Sequence, residues 1–179
     1  MGNIYICADL HFCHKNVIRY DNRPWDSVDA MNEGLIARWN SVVTDNDTIY
    51  LLGDVGFCGT NQMKALVSQL NGYKVLIRGN HDRDRSLAKW EEIGFDEAAN
   101  SYVITVDDTM VHMMHEPPEP GKPFEMLPHH FYIYGHVHND KEWPDWTPHS
   151  ACVSLCRLDY TPALIQDVIS GKAYCRHEG

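Results

Sequence analysis

Residues 48–80, TIYLLGDVGFCGTNQMKALVSQLNGYKVLIRGN, hold two near-continuous apolar runs with a helical pattern between them. Each run ends on a polar pair, Gly53-Asp54 after the first and Gly79-Asn80 after the second. Apolar runs such as TIYLL and YKVLI mark strands covered on both faces, and NQMKALVSQL has the spacing of an amphipathic helix. The same alternation extends outward: IYICAD and then MNEGLIARWNSVV precede this stretch, and RSLAKWEEIG follows it. The first half is therefore an α/β unit with parallel strands. Asp9, Asp54 and Asn80 stand at the carboxyl ends of its three strands, where open α/β sheets bind ligands.

Beyond about residue 100 the pattern changes to strands joined by loops: SYVITV, TMVHMMH, FYIYGHVH and ACVSLCRLDY. This predicts a second sheet packed on the first. A last helix is expected over PALIQDVISG, with Thr161 as N-cap, Pro162 at the first helical position and Gly171 beyond the end. EPPEPGKPFEMLPHH (116–130) and NDKEWPDWTPHS (139–150) are expected to be loops flanking the site. With no repeat or linker, residues 1–179 are expected to form a single catalytic domain.

The formal net charge of −10 over 179 residues argues against a groove that tracks duplex nucleic acid, whose affinity comes largely from Lys and Arg on phosphates. Histidine is the compositional outlier at 11 residues, several of them at the ends of apolar runs. That excess points to metal or acid-base chemistry. The six cysteines (Cys7, Cys13, Cys58, Cys152, Cys156, Cys175) include no CxxC pair, and the residues around Met1 do not show the charged start and apolar run of a secretion signal. They are expected to be reduced thiols in a cytoplasmic protein. Cys152, Cys156 and Cys175 are conceivable zinc ligands, but ACVSLC reads as a strand. No apolar run approaches the roughly 20 residues of a membrane span.

Asp9 and His11 are two apart, so on a continuing strand they would share a face and chelate one ion. Asp54 follows a glycine that permits a tight turn, and its carboxylate can bridge two cations. Asn80 can ligate through its amide oxygen; the bland alternative is a turn capped by Asp82 or Asp84. His112 and His115 point to opposite faces of a strand, and His115, at its end, is the better ligand candidate. His136 and His138 share a face after FYIY, which predicts a strand delivering two imidazoles to one edge.

The ordered motifs Asp9-Leu10-His11, Gly53-Asp54, Gly79-Asn80-His81-Asp82, His115 and Gly135-His136-Val137-His138 resemble those of the calcineurin-like metallophosphoesterases. The extended start DLHFCHKNVIRYDNRPW further resembles small, single-domain members common in bacteria and their phages. The resemblance implies a four-layer α/β/β/α sandwich of two mixed sheets flanked by helices. It also implies two divalent metal ions, one held by Asp9, His11, Asp54 and His138, the other by Asp54, Asn80, His115 and His136. Oxygen and imidazole donors without thiolate suit Mn, Fe, Zn or Ni, with Mn the first choice by resemblance.

Two divalent ions against Asp9 and Asp54 leave a local charge of roughly +2, enough to attract phosphate although the protein is acidic, since surface charges are screened beyond about 8 Å. The expected reaction is hydrolysis of a small nucleotide-like or cyclic phosphate diester, with a metal-bound hydroxide attacking phosphorus and His81 stabilising the phosphoryl group or protonating the leaving oxygen. Lys15, Arg19, Arg23, Arg78 and Arg83 are candidate phosphate contacts or solvated surface charges. His14 and Asn16 are candidate substrate contacts or helix caps. Trp143 and Trp146 either stack on a nucleobase or pack on the second sheet. A nuclease on single-stranded ends and a non-catalytic scaffold are the competing readings; in a scaffold the histidine of the GNHD motif would be expected to decay, and His81 is present.

Overall fold

The computed structural model describes residues 2–118, 124 and 127–177. The first sheet runs in the order β4-β3-β2-β1-β9: β1 (Ile4–Cys7), β2 (Thr48–Leu51), β3 (Tyr73–Ile77) and β4 (Glu97–Ala99) are parallel, and β9 (Ala163–Leu164) is antiparallel to β1. The continuous apolar runs follow from its position between two cores. Cys7, Leu51 and Leu76 face a helical layer, whereas Ile6, Tyr50 and Val75 face the second sheet. Alternate residues thus need apolar side chains for different partners.

The helical layer comprises α1 (Lys15–Tyr20), α2 (Val28–Asn40), α3 (Thr60–Val67) and α4 (Leu87–Ile93). In α2, Met31, Leu35 and Trp39 repeat every fourth residue and are buried together with Met63, Val67, Trp90 and Ile93 of the neighbouring helices. Ser27 caps α2 by accepting from the Ala30 amide, and Ser86 caps α4 by accepting from the Lys89 amide, both at 3.1 Å. Gly94, at φ 132°, ends α4.

The second sheet runs β5 (Tyr102–Val106), β6 (Thr109–Met113), β7 (His130–Tyr134), β8 (Ser150–Cys152); β5 and β6 form an antiparallel hairpin and the other pairs are parallel. Val111, Met113, Phe131, Ile133 and Ala151 fill the space between the sheets, joined there by Ile165 and Val168 of α5 (Ile165–Ile169), which lies against β1 and β8. The result is the expected α/β sandwich of two mixed sheets flanked by helices. Past the strands the sheets meet: the Ala8 amide donates to Val153 O and the Leu155 amide to Ala8 O. This closure brings the carboxyl ends of both sets of strands to one crevice.

Three local expectations change. The last helix begins at Ile165 with Leu164, not Thr161, as its N-cap, because Ala163 and Leu164 instead pair with Ile6 and Tyr5. An open sheet edge offers backbone partners that outweigh the weak preference of a short segment for helix. Gly171 does lie beyond the helix, at φ 77°. ACVSLCRLDY is strand only through Cys152, then crosses to the first sheet and turns through a 3₁₀ segment at Leu155–Arg157. FYIYGHVH is strand only through Tyr134. Residues 139–149 form a loop as expected, while part of the expected loop 116–130 lies outside the described residues. Among the described residues no helix is long and apolar enough to cross a membrane.

Candidate metal centre

All seven side chains implied as ligands gather at the crevice. Asp9, His11 and His138 form one group of potential metal ligands and Asp54, His115 and His136 another, the ligand atoms within each lying within 4.8 Å of one another. Asn80 joins the second group, its Oδ1 2.9 Å from His115 Nε2 and 3.0 Å from His136 Nδ1. Asp54 faces both: Oδ2 is 3.6 Å from His11 Nε2, and Oδ1 is 3.4 Å from His115 Nε2.

These side chains do not converge by lying on continuing strands, as the sequence spacing suggested. Asp9, His11, Asp54, His136 and His138 all have left-handed backbone, with φ between 43° and 71°. Each such residue costs about 1–2 kcal/mol, so the turns persist only because other contacts hold them. The Asp9 amide donates to Gly53 O, the His11 amide to Asp54 O, and the His136 amide to the Asp9 carboxylate at 3.0 Å. The glycines are needed for space: a Cβ on Gly79 would come within 2.3 Å of Asp54 Oδ1, and one on Gly53 within 2.5 Å of His115 Nδ1.

Hydrogen bonds on the far side of two rings settle where their lone pairs point. His115 Nδ1 donates to Leu52 O at 2.7 Å, and His138 Nδ1 donates to Asp21 Oδ2 at 2.8 Å. In each neutral ring Nε2 is then an acceptor aimed at the centre. His115 Nε2 faces the Asn80 carbonyl oxygen at 2.9 Å, and His138 Nε2 lies 3.1 Å from His11 Nε2, whose ring has no hydrogen bond at Nδ1 among the described residues. Two acceptors at the His115–Asn80 distance repel one another unless a cation lies beside them, and the buried His11, unpartnered at Nδ1, adds a further imidazole to the same centre, so the donor set fits metal ions.

The electrostatics agree. Burial, reinforced by Arg23 and by the cost of protonating His11 beside the His138 ring, pushes His11 well below the usual imidazole range. Burial also lowers His136. At His138 burial pulls downward, but the hydrogen bond to Asp21 and the charge of Asp9 outweigh it, so the ring's affinity for a proton is raised. Burial, with Asp9 and Asp82 as negative neighbours, lifts Asp54 to about 6 against the pull of His115. A buried carboxylate so placed gains from a cation.

Four supporting residues were not identified as such from the sequence. Asp21 orients His138. Arg23, considered as a phosphate contact, is instead buried, donating to Asp9 O, Leu10 O and Asp21. Ser154 donates to Asp9 Oδ2 at 2.5 Å. Asp82 accepts from the Gly79, Asp54 and Val55 amides, tying two ligand loops together rather than only capping a turn. The RYDNRPW segment contained a signal for the first two, an Asp and an Arg two apart. For Asp21→Asn, in which the acceptor for His138 is weakened, metal affinity is expected to fall 10- to 100-fold by metal titration; unchanged affinity would rule out the orienting role.

His81 is exposed beside the ligands, its ring centre 6.1 Å from that of His11 and its amide donating to Asp54 Oδ1. His14 precedes α1 without a side-chain cap bond, and its ring lies 5.6 Å from His11. Lys15, Asn16 and Arg19 are exposed on α1. Arg83 pairs with Glu116 at 2.7 Å, while Arg78 bonds Arg85 O and Asn100. Trp146 donates to Ile169 O and lies against Gly171, and Trp143 packs edge-on to Tyr134, so both take the packing alternative. His112 faces away from the centre, 2.9 Å from His130. All six cysteines are free, and the only thiol in a potential ligand group among the described residues is Cys156, with Asp21 and His138, which burial holds in the protonated form.

No family model matches the chain. It is 48% identical over 85 residues to an uncharacterized protein of Methanocaldococcus jannaschii, a stretch covering 46% of this chain and 48% of the relative. It is 39% identical over 85 residues to the gene 66 protein of Mycobacterium phage L5, covering 46% of this chain and 41% of that one. The matched stretch thus spans less than half the length of these relatives. Among solved structures, a protein of unknown function from Aquifex aeolicus superposes with a TM-score of 0.73 over 95% of this chain and 99% of its own, at 22% identity, and so shares the fold.

Proposed function

We propose that this protein is a phosphoesterase dependent on two divalent metal ions, acting on a small nucleotide-like or cyclic phosphate diester. The observation that carries the reading is the double orientation of Asp54, whose two carboxylate oxygens face two adjacent ligand groups. Asp9, His11, Asp54 and His138 would hold one ion, and Asp54, Asn80, His115 and His136 the other. Bound there, such ions supply an acidified water and neutralise charge on a phosphoryl group. The oxygen and imidazole donors suit Mn, Fe, Zn or Ni alike, and the resemblance of the motifs makes manganese the first ion to test.

The chain's own residues do the rest. Asp21 and Leu52 O hold the His138 and His115 tautomers, and Ser154 and the His136 amide hold Asp9. His81 stands at the rim with its ring outside both groups, placed to pass a proton to a departing oxygen. His81→Asn is expected to lower kcat on an unactivated diester by about 10²- to 10⁴-fold while metal content stays unchanged. A nitrophenyl ester, whose leaving group needs little protonation, should be affected far less; equal losses on both would remove the acid role.

The whole reading is tested by reconstituting the protein with Mn²⁺, Fe²⁺, Zn²⁺ or Ni²⁺ and assaying monoesters, linear diesters, cyclic nucleotides and single-stranded oligonucleotides. Turnover that needs metal and favours small diesters is expected. Preference for oligonucleotides would make the protein a nuclease, and metal uptake without turnover on any ester would make it a binding module.

A further inference from the structure

We propose that Phe57 is the stacking platform of this site, receiving the flat aromatic part of a nucleotide whose phosphate lies at the metal centre. The inference rests on the phosphoesterase reading and narrows its substrate class to esters that carry a nucleobase. Phe57 is 44% exposed and adjoins His11 of the first ligand group. Its backbone is fixed: the Phe57 amide donates to Phe12 O at 2.8 Å, and Gly56 pairs with Phe12 so closely that a Cβ on Gly56 would come within 2.5 Å of Phe12 O.

The ring consequently stands among three imidazoles. It lies 4.4 Å from His14 and 4.9 Å from His81, and is nearly parallel to His11, at 10° and 5.8 Å between ring centres. His11 belongs to a ligand group and His81 is the proposed acid, so a group bound at the centre and addressed by His81 has Phe57 beside it. An exposed phenyl ring offers an incoming base a π-face and little sequence-specific recognition. The two tryptophans considered for base stacking, Trp143 and Trp146, are engaged with Tyr134 and with Ile169 and Gly171.

The test compares AMP with ribose 5-phosphate, which keeps the sugar and phosphate but lacks the base, in equilibrium binding to the Mn²⁺-reconstituted protein. AMP is expected to bind about tenfold more tightly. Phe57→Leu should collapse that ratio to about one, and Phe57→Trp should preserve it. Equal affinities in the wild-type protein, or a ratio that survives in Phe57→Leu, would overturn the platform and leave Phe57 as a cover over His11. The two readings fail separately: a base preference that depends on Phe57 without hydrolysis of any ester keeps the platform and removes the activity. Hydrolysis without a base preference does the reverse.

Discussion

Asp54→Asn is expected to reduce kcat/KM on a small phosphate diester by on the order of a thousandfold, corresponding to several kcal/mol of lost charge stabilisation. Bound metal should fall at the same time, below two ions per chain by elemental analysis. The substitution is nearly isosteric, so the effect would come from charge and donor capacity. One carboxylate supplies an oxygen to each ligand group, and an amide offers one good donor oxygen in place of two. The fold should survive, because burial already lifts the metal-free Asp54 carboxyl to about 6, which marks its charge as a burden on the apo protein. Thermal unfolding of apo Asp54→Asn should therefore occur at the same temperature as the wild type or higher. A variant that retained two ions and full turnover would refute the shared position of Asp54.

Asp82→Ala is expected to have the largest effect on stability. The Asp82 carboxylate is fully buried and accepts from three backbone amides at 2.7–3.0 Å. Burial pushes it above the ordinary carboxylate range while the three donated hydrogens draw it back. Removing it strands three buried donors, which costs about 3 kcal/mol even if water recovers part of the bonding. Asp82→Asn keeps one acceptor oxygen and should fall between wild type and Ala. Urea unfolding of the metal-free proteins reads this order directly; an Ala variant with an unchanged midpoint would contradict it. Because the stranded amides belong to the loops carrying Asp54 and Asn80, both ions should bind more weakly, yet return at high metal concentration since every ligand remains. That recovery distinguishes the loss of a loop tie from the loss of a ligand in Asp54→Asn.

Much of the fold was legible because its driving pattern is local. The runs at Ile4–Cys7, Thr48–Leu51 and Tyr73–Ile77 end in consecutive buried apolar residues that serve two cores, and their shortness and the glycines that follow the second and third mark them as strands rather than helices. The edge strand Ala163–Leu164 was not legible, since its own residues also suit a helix and the deciding partners, Tyr5 and Ile6, are more than 150 positions away. The same difference separates ligands from their supports. Side chains that can hold a cation declare it by residue type and by standing at strand ends. Leu52 O and Asp21 direct their imidazoles across 63 and 117 residues; a backbone carbonyl has no local signature, and the Asp21–Arg23 spacing shows a pair but not the imidazole it serves.

Which donors this protein possesses is written in its residues, because donor chemistry is a property of each side chain and the motifs stand at strand ends. How those donors are aimed depends on contacts made in three dimensions. Left-handed turns replace the continuing strands, hydrogen bonds from distant segments select the tautomers, and Asp82 ties together the loops of Asp54 and Asn80. Such contacts also decide which aromatic ring stands beside the centre. Trp143 and Trp146 are larger and follow a ligand motif, but each finds a packing partner, whereas the backbone pairing of Gly56 with Phe12 leaves Phe57 exposed against His11, His14 and His81. The physical reason is common to all of these: orientation depends on contacts between residues far apart in the chain, and these exist only once the two sheets have closed on each other.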